Sequence, residues 1–523
     1  MFNYRLYFIA LTASIGAFLF GYDTGFIGAA VTLDSFKRDF GFTAANSANL
    51  QANIVATLQA GCFFGTVFMS IGAKWIGRTR AMCLAAFVFD IGAVLQTVTT
   101  GSLGMMYAGR IISGLGIGAA TILVPSYLAE ISPREIRGKL TMIYAFTIFF
   151  AIMSSYWIDY GCKLGLSPDG HLQWRIPVAL QLVFGTLLLV GSLFLKESPR
   201  WLITRGRNEE ALKVLAWVQQ KSIDHGDVLA EYTEIYEQNE KEMRECEGVT
   251  WRELMNPKFR NQIIIAFWIE FSQQFTGTNT FTYFAPTLFQ DIGLSSSSSS
   301  LFATGIYGIL KVIFSMISLL FVVDRVGRRP PLIIGSCLMG TWLLLLGIIW
   351  ACKPPVAGAS VSGASIAMMV MVYLYAITYS MTWGPIPFSY LSETAPNRIR
   401  SYVVGIGIAT NWAFNYCLTR TVPLAMANIK WRTFIMFAVF NYSICIASMF
   451  FVRETKNYPL EEIEQLFRGR LILPVKQALK IFHPKYDEAN APHVPTDDAS
   501  VKGEVAYIEK KEDAEVETSS TKA

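Results

Sequence analysis

YLAEISPREIRG, Tyr127–Gly138, returns later in the same chain as YLSETAPNRIRS, Tyr390–Ser401, with Tyr, Leu, Glu, Pro, Ile and Arg in one order at one set of gaps. Three more echoes keep the same order. WIGRTR (Trp75–Arg80) is answered by RVGRRP (Arg325–Pro330), QWR (Gln173–Arg175) by KWR (Lys430–Arg432), and KESPR, with Glu197, by RETK, with Glu454. Four ordered echoes are far too many for chance and mark an internal duplication.

What is duplicated follows from composition. The 523 residues are 53% hydrophobic and 16% charged, against about 25% charged in soluble domains, and the mean hydropathy is +0.39. Apolar runs of the length that crosses a bilayer, roughly 20 residues, fall at Leu6–Ala29, Gln51–Ile71, Ala81–Thr99, Met105–Tyr127, Leu140–Tyr160 and Ile176–Leu195. After a polar gap they resume at Gln262–Phe284, Leu301–Val323, Leu332–Trp350, Ile366–Phe388, Tyr402–Ala425 and Thr433–Val452. The first run is longer than a secretory signal's apolar core and has no clear small-residue cleavage site, so it reads as a retained helix. The expectation is an all-α membrane protein of twelve transmembrane helices in two six-helix pseudo-symmetric halves. The halves are residues 1–195 and 261–452, with a cytoplasmic linker of short helices at 196–260 and a cytoplasmic tail at 453–523, largely disordered after about 467. Parallel repeats of this kind are those of transporters of the major facilitator type, whose substrate site lies between the halves near mid-bilayer.

Lys74, Arg78, Arg80, Arg134, Arg137, Lys139, Arg325, Arg328, Arg329, Arg398 and Arg400 all sit in loops on one side. By the positive-inside rule that side is cytoplasmic and both termini join it. The net charge of +5 is then a topology signal and gives no support to nucleic-acid binding. The eight cysteines form no CxxC or metal-spaced cluster, so no metal is expected. No nucleophile–base–acid set or phosphate loop supports an enzyme, and the GLGIG of the fourth run lies inside an apolar span.

The echoed loops carry charges that either anchor topology or form a cytoplasmic gate. In the gate reading Glu130 pairs with Arg78 or Arg137 and Glu393 with Arg328 or Arg400, made in one state and broken in the other, with Glu197 and Glu454 in the echoed motifs beside them. Within the membrane, Asp23, Asp90, Arg110, Asp159, Glu270 and Lys311 are each expected to be paired or functional, because an isolated charge there costs about 2.5–3.5 kcal/mol on insertion scales.

SQQFTGTNTFTYFAP holds Gln273, Gln274, Asn279 and Tyr283. At about 100° per residue one straight helix cannot aim all four at one ligand, so Thr276–Thr278 is predicted to bend or unwind. Amides offer a donor and an acceptor to sugar hydroxyls; interhelical hydrogen bonding is the alternative use. In NWAFN, Asn411 and Asn415 share a face and Trp412 offers a ring for stacking. WGPIPF places Trp383 and Phe388 around two prolines that break the helix, which reads as a hinge or gate with both rings at the substrate site; a plain proline kink is the alternative. Lys311 could neutralise a substrate carboxylate, pair with Glu270, or snorkel outward along its stem. Arg420 is a second candidate for the carboxylate.

GYDTG, GR with GLGIG, YLAEISPREIRG, KESPRWL, QQFTGTN, VVDRVGRRP and RETKNYPLEEIEQLF together resemble the sugar porter family of the major facilitator superfamily, from Tyr4 to about Phe467. YWIDYG and GIYGILK look like its fungal quinate, galacturonate and hexose permease branch. The resemblance implies a carrier working by alternating access on a monosaccharide or sugar acid, in the plasma membrane. It makes Asp23 and Arg110 the proton-coupling pair, with the proton gradient as the coupling ion and no cofactor. A proton-independent facilitator and a non-transporting sugar sensor are the alternatives. The chain departs from the family pattern at Lys74, Lys196 and Arg453, and it has Ala145 where many members have a binding Gln and Phe388 where many have Trp.

Overall fold

The computed structural model describes residues 4–132, 134–246, 257–294, 296–355, 361–395, 399–456, 466–467 and 471–481. The first half comprises α1 (Tyr4–Ala30), α2 (Ser47–Ile76), α3 (Arg78–Val98), α4 (Leu103–Ile131), α5 (Arg134–Gly165) and α6 (Leu172–Phe194). In the second half α7 is broken into Pro257–Phe275 and Thr278–Asp291, and α8 runs from Ser297 to Ile317 and on through a π-helical turn to Val326. There follow α9 (Arg329–Cys352), α10 as Gly363–Met381 and Ile386–Thr394, α11 (Arg400–Ile429) and α12 (Arg432–Phe451). Nine of the described helices are long and apolar enough to cross a membrane. The three that complete twelve, α5, α7 and α11, carry much of the polar machinery.

The duplication is visible in the packing. The pairs α2–α4, α3–α4, α1–α5 and α3–α6 recur six helices later as α8–α10, α9–α10, α7–α11 and α9–α12. Between halves, α2 lies along α11, α5 along α8, and α1 against the second segment of α7. Small residues permit the tightest contacts: a Cβ on Gly61 would stand 2.2 Å from the Ile111 carbonyl oxygen, and one on Gly118 would stand 2.1 Å from that of Cys62. Backbones this close gain dispersion contacts in a solvent with no hydrophobic drive between helices.

On the side where α1 begins and α12 ends, the echoed loops build one joint twice. Glu197 accepts from the backbone N–H of Arg78 at 2.8 Å and from the Thr79 hydroxyl at 2.8 Å. Glu454 accepts from the backbone N–H groups of Arg328 and Arg329 at 3.0 and 3.1 Å. Each carboxylate satisfies orphan donors at the start of α3 or α9 and meets the positive end of the helix dipole. The preceding glycines, Gly77 and Gly327, hold φ of +100° and +98°, and a Cβ on them would reach Glu197 and Glu454 oxygens at 2.5 and 2.6 Å.

The linker forms helices Pro199–Thr204, Asn208–Gln219 and Gly226–Cys246. Ala211, Val214 and Val218 join Leu6, Ile9 and Tyr127 in one buried cluster beneath the first half, and Arg5 donates to the Trp217 carbonyl at 2.8 Å. Within the tail, residues 471–481 pack back onto the second half. There Leu473 N–H bonds the Phe450 carbonyl at 2.9 Å, and the fully buried Arg329 donates to the carbonyls of Lys480, Ala478 and Met449 at 2.7, 3.0 and 2.8 Å.

On the opposite side, the short helix Asp34–Asp39 is held over α6. Asp39 Oδ2 meets His171 Nδ1 at 2.6 Å and accepts from Trp174 Nε1 at 2.8 Å. Partial burial pushes the Asp39 carboxyl up, but hydrogen bonds from His171, Trp174 and Arg38 outweigh it and hold it below the usual carboxylate range.

Candidate substrate and coupling site

The break in α7 falls at Thr276–Gly277, with Gly277 at φ +95°, where the sequence places it. The turn redirects the two segments so that Asn279 Nδ2 reaches Gln274 Oε1 at 2.5 Å, which a straight helix forbids. Gln273 turns toward the break in α10, donating to the Trp383 carbonyl at 2.9 Å and accepting from Asn411 of α11 at 2.7 Å. Asn411 Nδ2 also donates to Glu270 Oε2 at 2.7 Å, while Glu270 Oε1 is buried without a partner among the described residues. The Tyr283 hydroxyl bridges the halves. It accepts from Asn415 of α11 at 3.4 Å and donates to Gln59 of α2 at 3.1 Å, in the amide orientation that satisfies both ends of Gln59.

α10 breaks between Met381 and Ile386, at the WGP sequence. Trp383 is fully buried, and its indole N–H bonds the Leu332 carbonyl and Ser336 hydroxyl of α9 at 2.9 and 2.8 Å. Its backbone carbonyl, not its ring, therefore enters the amide network. Phe388 is 47% exposed and stands outside this buried cluster. Trp412 crosses to the first half, edge-on to Phe20 at 5.4 Å.

Lys311 is 3% exposed. Its ammonium donates to Thr282 Oγ1 at 3.0 Å and lies 5.5, 5.4 and 5.4 Å from the ring centres of Phe149, Tyr307 and Tyr379. It makes no ion pair among the described residues, so neither the Glu270 pairing nor the outward snorkel occurs. The sequence reading missed this cage; the spacing of Tyr307 and Lys311, four apart on one helix face, is the one local signal for it. Arg420 reaches Asn49 at 3.5 Å, near the outer end of α2 and away from this cluster.

Asp23 and Arg110 form a bidentate pair at 2.8 and 3.1 Å with both side chains at 0% exposure. Arg110 Nε donates to the Ile54 carbonyl of α2 at 3.2 Å, and Arg110 Nη2 has no partner among the described residues. One helix, α2, thus touches the ion pair through Ile54 and the Tyr283 hydroxyl through Gln59. Among the described residues Asp159 is buried with both oxygens unpartnered, and Asp90 meets the Thr186 hydroxyl at 3.4 Å.

The gate residues divide between the halves. Arg78 pairs with Glu130 at 2.9 Å and Arg328 with Glu393 at 2.8 Å, each pair joining two helices of its own half. Arg400 donates to the Ala395 carbonyl at 3.4 Å, and the Arg137 side chain lies outside the described residues.

Residues 9–467 match the family model described as Sugar (and other) transporter. The chain belongs to the sugar transporter family. It is 36% identical over 485 residues to a probable quinate permease of Aspergillus fumigatus, covering 90% of this chain and 89% of that one. A probable quinate permease of Aspergillus niger is 36% identical over 481 residues, with the same coverage. Among solved structures, the proton:xylose symporter XylE bound to 6-bromo-6-deoxy-D-glucose superposes with a TM-score of 0.73 at 28% identity, covering 89% of this chain and 100% of that one. The inward-open xylose transporter XylE from E. coli gives 0.72 at 26% identity, with 88% and 99% covered. This chain has the major facilitator fold, and its family is one of transporters, not of enzymes.

Proposed function

We propose that this chain imports a small polyhydroxylated substrate, a monosaccharide or sugar acid, together with a proton, from the plasma membrane with both termini in the cytoplasm. The observation that carries the reading is the Asp23–Arg110 pair, sealed from solvent in the first half and linked through α2 to the Tyr283 hydroxyl. A buried pair can serve as a switch, because Asp23 paired with Arg110 is a charged group and Asp23 released from it is a group that takes a proton. Arg110 keeps a spare donor at Nη2, so it can hold the carboxylate in more than one geometry.

The remaining parts have roles in the same cycle. Gln273, Gln274, Asn279, Asn411 and Asn415 supply paired donors and acceptors suited to hydroxyls. Tyr283 reports occupancy of that cluster to the first half. The arginine–glutamate pairs and the helix caps of Glu197 and Glu454 keep each half rigid while the halves rock. The XylE symporter and the quinate permeases support proton coupling and the substrate class.

The test is external alkalinisation by cells that express the chain and lack their own sugar carriers, on adding xylose, glucose, galacturonate and quinate in turn. Uptake with a rise in external pH is the expected result. Uptake with no pH change would leave a facilitator whose Asp23–Arg110 pair is permanent, and saturable binding without flux would leave a sensor.

A further inference from the structure

Asp159, near the outer end of α5, is a buried carboxyl that the cycle above leaves unused. Its side chain is fully buried, and neither oxygen has a hydrogen-bond partner among the described residues. The cations of the neighbouring helices are engaged elsewhere: Arg110 with Asp23 at 2.8 Å, Arg175 of α6 with the Thr99 carbonyl at 2.9 Å, and Lys311 of α8 with the Thr282 hydroxyl at 3.0 Å. The titratable groups that feel its charge are Tyr22 of α1 and, on its own helix, Tyr156 and Cys162; Tyr283 of α7 and Tyr307 of α8 stand next around Tyr156. Tyr22 and Tyr156 spend their hydroxyl protons on the Pro177 and Thr282 carbonyls at 2.9 and 2.6 Å. A carboxylate given no donor does not persist in such a place, whereas a carboxylic acid does.

Both halves close this face of α5. Ser155 and Tyr156 stand one turn inward of Asp159. A Cβ on Gly25 of α1 would stand 2.0 Å from the Ser155 hydroxyl oxygen, and Tyr156 holds the second segment of α7 through Thr282. One turn outward on the same face is Lys163, whose ammonium meets Asp34 of the short outer helix at 2.5 Å, with Asp34 59% exposed.

Resting on the carrier reading for the rocking of the halves, we infer that Asp159 is a second proton-binding site, apart from Asp23, which takes a proton from the outer solvent as the outer side closes. In the closed form Asp159 is a carboxylic acid and Lys163 stays with Asp34. When the second segment of α7 leaves Tyr156, water enters the face, the acid gives its proton to that water, and Lys163 turns inward by one helical turn to the new carboxylate. Asp34, already exposed, exchanges the ammonium for water at small cost. One ion pair replaces another and one proton leaves, so an acidic exterior favours the occluded carrier.

The first measurement is melting of the purified full chain in detergent, without cargo. Between pH 5 and 8 an unfolded aspartate is ionised, its ordinary value being about 3.9. Wild type then binds one more proton folded than unfolded, and its stability falls as pH rises. Each pH unit costs wild type about tenfold in its folding equilibrium at this site and costs Asp159→Asn nothing. The melting temperature of Asp159→Asn minus that of wild type is expected to rise steadily from pH 5 to 8; a constant difference overturns the inference.

The second measurement is labelling, from outside proteoliposomes, of a cysteine placed at Thr287, normalised to the unfolded chain in the same buffer. Labelling is expected to rise with external pH, with a midpoint that moves in opposite directions in two variants that break the same ion pair. Asp34→Asn releases Lys163 to Asp159 and lowers the midpoint by roughly a few tenths of a unit, the scale of an exposed pair. Lys163→Met removes the counter-ion of the open form and raises the midpoint by about one unit or more. Labelling that ignores pH, or midpoints that move the same way in both variants, makes the Lys163–Asp34 pair a structural brace and overturns the inference. Neither variant alters Asp159, so a misfolded Asp159→Asn does not blunt this arm. Both measurements run without cargo: a chain that shows these shifts but carries no sugar in the alkalinisation assay loses the carrier reading and keeps the proton site.

Discussion

Arg110 Nη1 donates to both carboxylate oxygens of Asp23, at 2.8 and 3.1 Å, and neither side chain reaches solvent. Breaking one side of such a buried pair leaves a bare charge and costs about 3–5 kcal/mol. Arg110→Ala is therefore expected to lower the melting temperature of the detergent-purified protein sharply. Asp23→Asn keeps the shape and a hydrogen-bond acceptor, so it is expected to fold, to retain exchange of labelled substrate, and to lose accumulation against a gradient. Full accumulation by Asp23→Asn would remove Asp23 from the coupling step.

Glu197 and Glu454 cap equivalent helices in the two halves. Glu197→Ala and Glu454→Ala are each expected to cost about 1–2 kcal/mol, the upper range for an N-cap, since a charged acceptor takes several donors at once. The glycines that make room for them are as constrained. Gly77→Ala and Gly327→Ala place a side chain at φ near +100° against a carboxylate, and both are expected to melt earlier than wild type in differential scanning fluorimetry. Unchanged melting in either glycine variant would contradict the joint as described.

Gly28 in α1 faces the backbone of α7 across the boundary between halves: a Cβ there would stand 1.8 Å from the Tyr283 carbonyl oxygen. Gly28→Ala must push the halves apart on the side away from the termini. Overpacking of about 1–3 kcal/mol moves a two-state balance by roughly 5- to 150-fold. The variant is expected to slow transport and to raise thiol labelling of a cysteine introduced at Thr287, whose hydroxyl accepts from Gln51 at 2.9 Å on that side.

Asp39 ties the short helix Asp34–Asp39 to α6 through His171 and Trp174. Its carboxyl is held below the ordinary range, so the folded state binds fewer protons there than the unfolded chain. The stabilisation is complete above the unfolded value near pH 3.9 and is lost as pH falls through the lower folded value. The melting-temperature gap between wild type and Asp39→Asn is expected to be constant from pH 7 to 5 and to close in more acidic buffer. A gap that already closes between pH 7 and 5 would contradict a carboxyl held below its ordinary range.

Features written along the chain were legible in it. The echoes gave the duplicated halves, Gly277 among four misaligned polar groups gave the break in α7, and Pro385 gave the break in α10. Features assembled from distant segments were not. The Lys311 cage takes Phe149, Tyr307 and Tyr379 from three helices, and only Tyr307 is near in sequence. Trp383 looked like a wall of the site because an indole near two prolines suits a gate, but its N–H needed a partner in a dry environment and found α9. The polar composition of the tail hid residues 471–481, which are ordered by Arg329 bonding their carbonyls and not by apolar burial alone.

The broken turn of α7 has a mechanical consequence. The Thr276 carbonyl, freed from the helix, accepts from the Tyr375 hydroxyl of α10 at 2.9 Å and from Asn441 of α12 at 3.0 Å. A bare carbonyl in the bilayer interior would cost several kcal/mol, so the turn cannot slide along the chain without giving up both anchors. It is a fixed fulcrum. The segment Thr278–Asp291, carrying Asn279, Thr282 and Tyr283, is a lever arm: its movement is taken up against the first half, because the turn at its root is pinned to the second.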